Sequence, residues 1–198
     1  MLRSLTIADA FTIANATCGT LSIFVCLQWL DEGRVPLWAA FALLPTAFVL
    51  DALDGRIARW THRSSTLGGD LDSLADVISF GVAPAVLGFT LGLRGGWDSL
   101  VLAYFVVCGV ARLARYNATS AALSDEAGKV RYFEGTPIPT SLVLVAVLGV
   151  AVLTGNAGHH RLWGGVMRLG PATFHPLVLM YALSGTAMVS ARLRIPKP

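Results

Sequence analysis

Cysteine and histidine are nearly absent: three and four residues in a chain of 198. Cys18, Cys26 and Cys108 are odd in number, sit in apolar stretches and have no metal-ligand spacing. They read as small packing residues, which argues against a disulfide scaffold and against a thiolate metal centre. His159 and His160 are adjacent, beside Arg161 and Trp163, and read as solvated loop. Charge is scarce too. Only 14% of residues are Asp, Glu, Lys or Arg, 55% are hydrophobic, and the mean hydropathy of +0.64 is too high for an ordinary soluble domain. No internal repeat, low-complexity tract or cleavable signal peptide is evident. The first apolar stretch is long and carries polar residues, so it is expected to be retained as a helix.

What the chain has in quantity is long apolar runs. Six are long enough to span a bilayer, at roughly 6–30, 36–59, 69–93, 98–117, 137–155 and 172–191. The expected fold is all-α, a polytopic membrane helical bundle of about six transmembrane helices, with residues 1–198 forming a single integral membrane domain. Basic residues set its orientation. With the N-terminus inside, Arg3, Arg56, Arg59, Arg63, Arg112, Arg115, Lys129, Arg131, Arg192, Arg194 and Lys197 fall on the cytoplasmic side. Arg34, Arg94, Arg161 and Arg168 fall on the other. Trp29, Trp38, Trp60, Trp97 and Trp163 lie near span ends, as an interfacial aromatic belt does. The net charge of +3 then reflects contact with lipid headgroups rather than with nucleic acid.

Against this background four acids stand out: Asp51, Asp54, Asp72 and Asp76, in or at the ends of the second and third apolar runs. A carboxylate at the centre of a membrane helix costs roughly 2.5–3.5 kcal/mol, so four at full depth would cost roughly 10–14 kcal/mol. Either they face a wet cavity near the interface, or they hold cations, or both. On a helix Asp51, Asp54, Gly55 and Ala58 share one face, as do Gly68, Asp72 and Asp76, with Ser79 continuing it. Two helices joined by a short basic loop, Trp60 to Leu67, are antiparallel neighbours whose acidic faces can converge. Crowded carboxylates repel unless divalent cations lie between them. Oxygen ligands with no His or Cys nearby point to Mg²⁺ or Mn²⁺, less to Ca²⁺. Two such ions about 3.5–4 Å apart are a device of phosphoryl chemistry. Membrane acids also mark ion paths. A channel or transporter, however, would spread them over several helices and depths, and has no use for the glycine and arginine set among them.

The run reads D-x2-D-G-x2-A-R-x8-G-x3-D-x3-D without departure, from Asp51, Asp54, Gly55, Ala58 and Arg59 to Gly68, Asp72 and Asp76. It resembles the signature of the CDP-alcohol phosphotransferases, integral membrane enzymes that displace CMP from a CDP-linked substrate with an alcohol. The resemblance implies that Asp51, Asp54, Asp72 and Asp76 hold two divalent ions. It implies a CDP-lipid site made by Asn15, Asp51, Asp54, Gly55, Ala58, Arg59, Gly68 and Asp72, with Arg59 reaching a phosphate. It implies Asp76 as general base and a homodimer; the bias of basic residues places the active site on the cytoplasmic side, expected at the cell (inner) membrane. Direct attack follows from the absence of a Ser, Cys or His placed as nucleophile.

The acceptor is not chosen by that signature. Thr12 to Gly19 (TIANATCG), Asp72 to Ala85, Ala111 to Asn117 (ARLARYN) and Tyr132 to Pro139 (YFEGTPIP) together resemble the membrane-bound phosphatidylserine synthase branch. That implies CDP-diacylglycerol and L-serine as substrates. The same family also includes members using glycerol phosphate, inositol phosphate or choline. The resemblance covers most of residues 5–140 and weakens over 156–198, expected to be scaffold. Two departures stand in it. Ala8-Asp9 occupies the place of a usual Pro-Asn, and Thr136 that of a usual leucine. Arg112 and Arg115, beside Tyr116 and Asn117, end the fourth span. A pair of arginines there suits the serine carboxylate, a lipid phosphate or the charge bias alone. With Ser79 and Asn117 they make the candidate serine site. The Gly81-x2-Pro84 element is expected to break the third span near Gly81, as a proline kink or as the floor of an acceptor pocket.

Overall fold

The computed structural model describes residues 6–31, 33, 35–61, 68–123, 132–158, 161–190 and 194–196, with backbone alone at 58, 59, 61, 120–123, 132–134 and 194–196. His159 and His160 lie outside the described residues. The helices are α1 (Ile7–Asp31), α2 (Trp38–Thr61), α3 (Gly68–Leu91), α4 (Gly96–Leu123), α5 (Ile138–Leu153) and α6 (Pro176–Val189). α1 to α4 are each long and apolar enough to cross a membrane; α5 and α6 are shorter apolar helices of 10–17 residues. The all-α expectation holds, and each of the six expected spans contains one helix. Two small antiparallel strand pairs were not expected: β1 (Tyr132–Glu134) with β4 (Arg194–Pro196), and β2 (Met167–Leu169) with β3 (Ala172–Phe174). The last expected span therefore starts late, since residues 172–174 are strand. The chain divides into two compact units, Met1–Leu87 and Gly88–Pro198.

In the first unit α1 packs against α2 and α3 with its polarity reversed relative to a soluble helix. Its buried residues are Ala8, Asp9, Thr12, Asn15, Gly19, Ser22 and Cys26, small or polar and spaced three or four apart. Its exposed residues include Ile7, Ile13, Leu21, Phe24 and Leu27. Small residues inside and large apolar ones outside are what lipid selects, because helices in a bilayer gain from close backbone approach rather than from hiding leucine. Gly19 is the tightest point. A Cβ there would lie 2.5 Å from Ser79 Oγ. Ser79 donates to the Asn15 carbonyl at 3.0 Å, and Ser22 to the Ala40 carbonyl at 3.3 Å. At the start of α1, Thr6 N–H donates to Asp9 Oδ2 (2.7 Å) and Asp9 N–H to Thr6 Oγ1 (3.3 Å), a reciprocal cap.

The expected break in α3 does not occur. Residues Val77–Val82 are π-helical, and the Ala83 N–H bonds the Ile78 carbonyl. Pro84 has no N–H to give and its ring crowds the carbonyl a turn earlier. Widening the turn absorbs both faults without exposing backbone, and such bulges recur beside functional sites. This one starts at the residue after Asp76.

In the second unit α4 packs along α6. Phe105 and Tyr181 meet edge to face at 5.2 Å, Gly185 admits the α4 backbone at Phe105, and Tyr104 and Thr186 share a hydrogen bond of 3.1 Å. The start of α4 is tied to the β2–β3 hairpin. Asp98, fully buried, accepts from Gly95 N–H (2.7 Å), from His175 N–H (2.9 Å) and from the His175 ring at Nδ1 (2.5 Å). Trp97 Nε1 donates to the Leu169 carbonyl at 2.8 Å. Gly135, at φ +76°, turns the chain tightly against the Met188 carbonyl, and Thr136 N–H donates to the Ala187 carbonyl at 3.2 Å. Cys18, Cys26 and Cys108 are all free, as expected.

Candidate active site

The first unit brings three of the four signature acids together. Asp72 and Asp76, one turn apart on α3, face Asp51 in the second half of α2. A carboxylate oxygen from each lies within 4.8 Å of the others. Asp51 and Asp72 are half-buried and Asp76 is buried. Asp54 is not in this triad. It is 7% exposed, and its Oδ2 accepts a 2.7 Å hydrogen bond from Thr12 Oγ1 of α1.

The donor set suits a hard divalent cation, being all oxygen. In an octahedral Mg²⁺ shell with bonds of about 2.1 Å, neighbouring ligands are about 3.0 Å apart and opposite ones about 4.2 Å, so the three side chains would draw together by up to about 1–2 Å around an ion. Asp72 Oδ1 is buried with no hydrogen-bond partner among the described residues. A buried orphan acceptor costs about 1–3 kcal/mol, which a bound cation would offset. The cluster can thus hold a divalent metal ion.

The other expected residues are divided between the two units. Asn15, fully buried on the α1 face that carries Thr12, has both side-chain amide atoms without a partner among the described residues. Gly55 is exposed, and among the described residues a Cβ there would meet nothing within 4 Å. Gly68 opens α3, half-buried. Ala58 and Arg59 lie in the last turns of α2, with side chains outside the described residues. Ser79 is fully buried and spends its proton on the Asn15 carbonyl, leaving it acceptor capacity alone. Arg112, Arg115 and Asn117 belong to the second unit, in the C-terminal half of α4. There the Arg112 guanidinium lies 5.6 Å from the centre of the Tyr116 ring, and Arg115 Nη1 donates to the Val189 carbonyl at 3.4 Å.

A family model described as CDP-alcohol phosphatidyltransferase matches residues 5–184. The chain belongs to that family. A Saccharomyces cerevisiae (strain ATCC 204508 / S288c) protein named CDP-diacylglycerol--serine O-phosphatidyltransferase is 42% identical over 203 residues, covering 100% of this chain and 73% of its own. A Helicobacter pylori (strain ATCC 700392 / 26695) protein of the same name is 36% identical, covering 95% of this chain and 70% of its own. An archaetidylserine synthase of Methanothermobacter thermautotrophicus is 36% identical, covering 70% of this chain and 55% of its own. Membership makes this an integral membrane phosphotransferase, in agreement with its four long apolar helices.

For this CDP-alcohol phosphatidyltransferase, Thr12 is the residue that reading the sequence missed. It opens the TIANATCG stretch that carries part of the resemblance, three residues before Asn15 and on the same face of α1, without having been singled out there. The departure at Asp9 also has an explanation: the carboxylate caps α1 through Thr6, as an amide oxygen would.

Proposed function

We propose that this protein transfers a phosphatidyl group from a CDP-diacylglycerol-type lipid to L-serine, giving phosphatidylserine and CMP. The observation that carries this is the convergence of Asp51, Asp72 and Asp76 beside the Thr12–Asp54 pair in a chain of this family. The serine assignment draws on the names of the similar proteins. Asp51, Asp54, Asp72 and Asp76 would hold two divalent ions, Mg²⁺ or Mn²⁺. When bound, these neutralise the diphosphate and the charge growing on the departing CMP. Asn15, Gly55, Ala58, Arg59 and Gly68 complete the CDP-lipid site. Gly55 allows close approach to the α2 backbone, Asn15 offers an amide with both ends unmet, and Arg59 offers a fork for phosphate.

Asp76 takes the proton from the serine hydroxyl. The serine oxygen attacks the β-phosphorus, which carries the lipid; the bond from that phosphorus to the bridging oxygen breaks, and CMP departs with the bond's electrons. Arg112 or Arg115, with Asn117, would recognise serine, the guanidinium pairing with its carboxylate. The active site faces the cytoplasm, at the cell membrane, and the protein forms a homodimer. The test is CMP release by purified protein with serine, glycerol phosphate, inositol phosphate or choline as acceptor. Serine should give the fastest release, EDTA should abolish it, and Asp51→Ala, Asp54→Ala or Asp72→Ala should each do the same. Faster release with another alcohol would overturn the serine assignment; activity in EDTA would overturn the metal site.

A further inference from the structure

A groove of about 390 Å³ runs between α1 and α3 on the outward side of the first unit. Its α1 wall begins at Thr12, the residue bonded to Asp54, and ends at Phe24. Its α3 wall begins at Leu71, next to Asp72, and passes Leu74 and Ala75 to Ile78. It therefore starts at the level of the acids and runs along both helices away from them. The walls are apolar in effect even where the residues are not. Thr17 donates to the Ile13 carbonyl and Thr20 to the Ala16 carbonyl, both at 2.8 Å, so neither hydroxyl proton is left for a ligand. From Thr12 to Phe24 the α1 wall rises about 18 Å at about 1.5 Å per residue. One leaflet of a hydrocarbon core about 30 Å thick is about 15 Å deep, so the groove has the length of one acyl chain.

We infer that this groove binds one acyl chain of the CDP-linked lipid, and that Phe24, the last α1 residue on its wall, limits the chain length accepted. The inference rests on the reading that the donor is a CDP-linked lipid. A diphosphate held at the acids places its glycerol beside Thr12, at the head of the groove. That continuity favours a substrate chain over a passing membrane lipid or a helix of a second copy.

The test uses full-length protein in phosphatidylcholine nanodiscs with a CDP-diacylglycerol carrying a diazirine at the end of one acyl chain. After irradiation the label should map to α1 near Phe24. Excess unlabelled CDP-diacylglycerol should reduce it about tenfold, and excess phosphatidylglycerol should leave it unchanged. Thr20→Phe, which fills the groove, should lower the ratio of kcat/KM for long-chain over short-chain CDP-lipid about tenfold while leaving the serine KM alone. Phe24→Ala should raise that ratio. Label elsewhere in the chain overturns the inference. So does equal labelling by a diazirine phosphatidylcholine, which would make the occupant bulk lipid, or cross-linking of α1 to a second copy. Labelling needs no acceptor, so a failure of the serine assignment leaves it intact. Serine turnover with the label elsewhere removes the groove alone.

Discussion

Thr12→Val removes one hydroxyl and little else, yet it should weaken metal binding severalfold more than its place outside the acid motif suggests. The Thr12 hydroxyl lies 2.7 Å from Asp54 Oδ2, and the two residues are 4% and 7% exposed, so little water can replace the lost donor. A hydrogen bond to a charged group contributes about 1.5–3 kcal/mol, or about 10- to 150-fold in an equilibrium constant. Partners that orient metal ligands from behind give a similar range, about 10–100-fold in affinity. Mn²⁺ binding to the purified protein, followed by electron paramagnetic resonance without any substrate, reads this directly. Thr12→Ser keeps the donor and should restore most of the affinity. Valine at Mn²⁺ affinity equal to the parent would refute the reasoning. So would serine and valine variants that lose affinity alike, since only packing would then have been disturbed.

Three further outcomes are expected. Asp76→Asn should keep metal and CDP-lipid binding but lose turnover, because an amide cannot take the serine proton; near-parental kcat would remove Asp76 from that role. Arg112→Ala or Arg115→Ala should raise the serine KM about 10- to 150-fold, with Lys rescuing only partly for want of a planar fork. A rise in the CDP-lipid KM alone would make them phosphate ligands. Gly135→Ala should lower the melting temperature in detergent more than Gly155→Ala does. Both glycines have positive φ, +76° and +73°, but only at Gly135 would the new methyl strike a backbone carbonyl, that of Met188; equal effects would show that φ strain of about 1–3 kcal/mol is the whole cost.

Much of this was legible because lipid simplifies the reading. Apolar length located α1 to α3 within two residues and the start of α4, whose polar last turns run six residues past the expected end, and the three- and four-residue spacing of the acids put Asp72 and Asp76 on one face. Spacing could not separate Asp51 from Asp54. Both share a face of α2, and which one meets α3 and which meets Thr12 depends on how α1 and α3 approach, which Gly19 and Ser79 decide through packing. Pro84 was read as a break because a proline specifies what is lost, a donor, and not how the turns before it will widen. The strand pairs left no signal, since three residues are too few for alternation to show. In β1–β4 the partners are also about sixty residues apart in sequence, a separation typical of the non-local pairing that local pattern cannot see.

The buried pair of Asp98 and His175 bears on how the chain is made. The two are 77 residues apart in sequence. At about 5–20 residues per second, synthesis delivers His175 roughly 4–15 s after Asp98. During that interval α4 can enter the bilayer, but of the partners described for the carboxylate at its start Gly95 alone is present, and it must stay hydrated. The second unit closes only when the hairpin before α6 arrives and the imidazole takes the place of water. A chain stopped short of residue 175 would keep that acid wet, and with it an open seam where α6 should lie against α4.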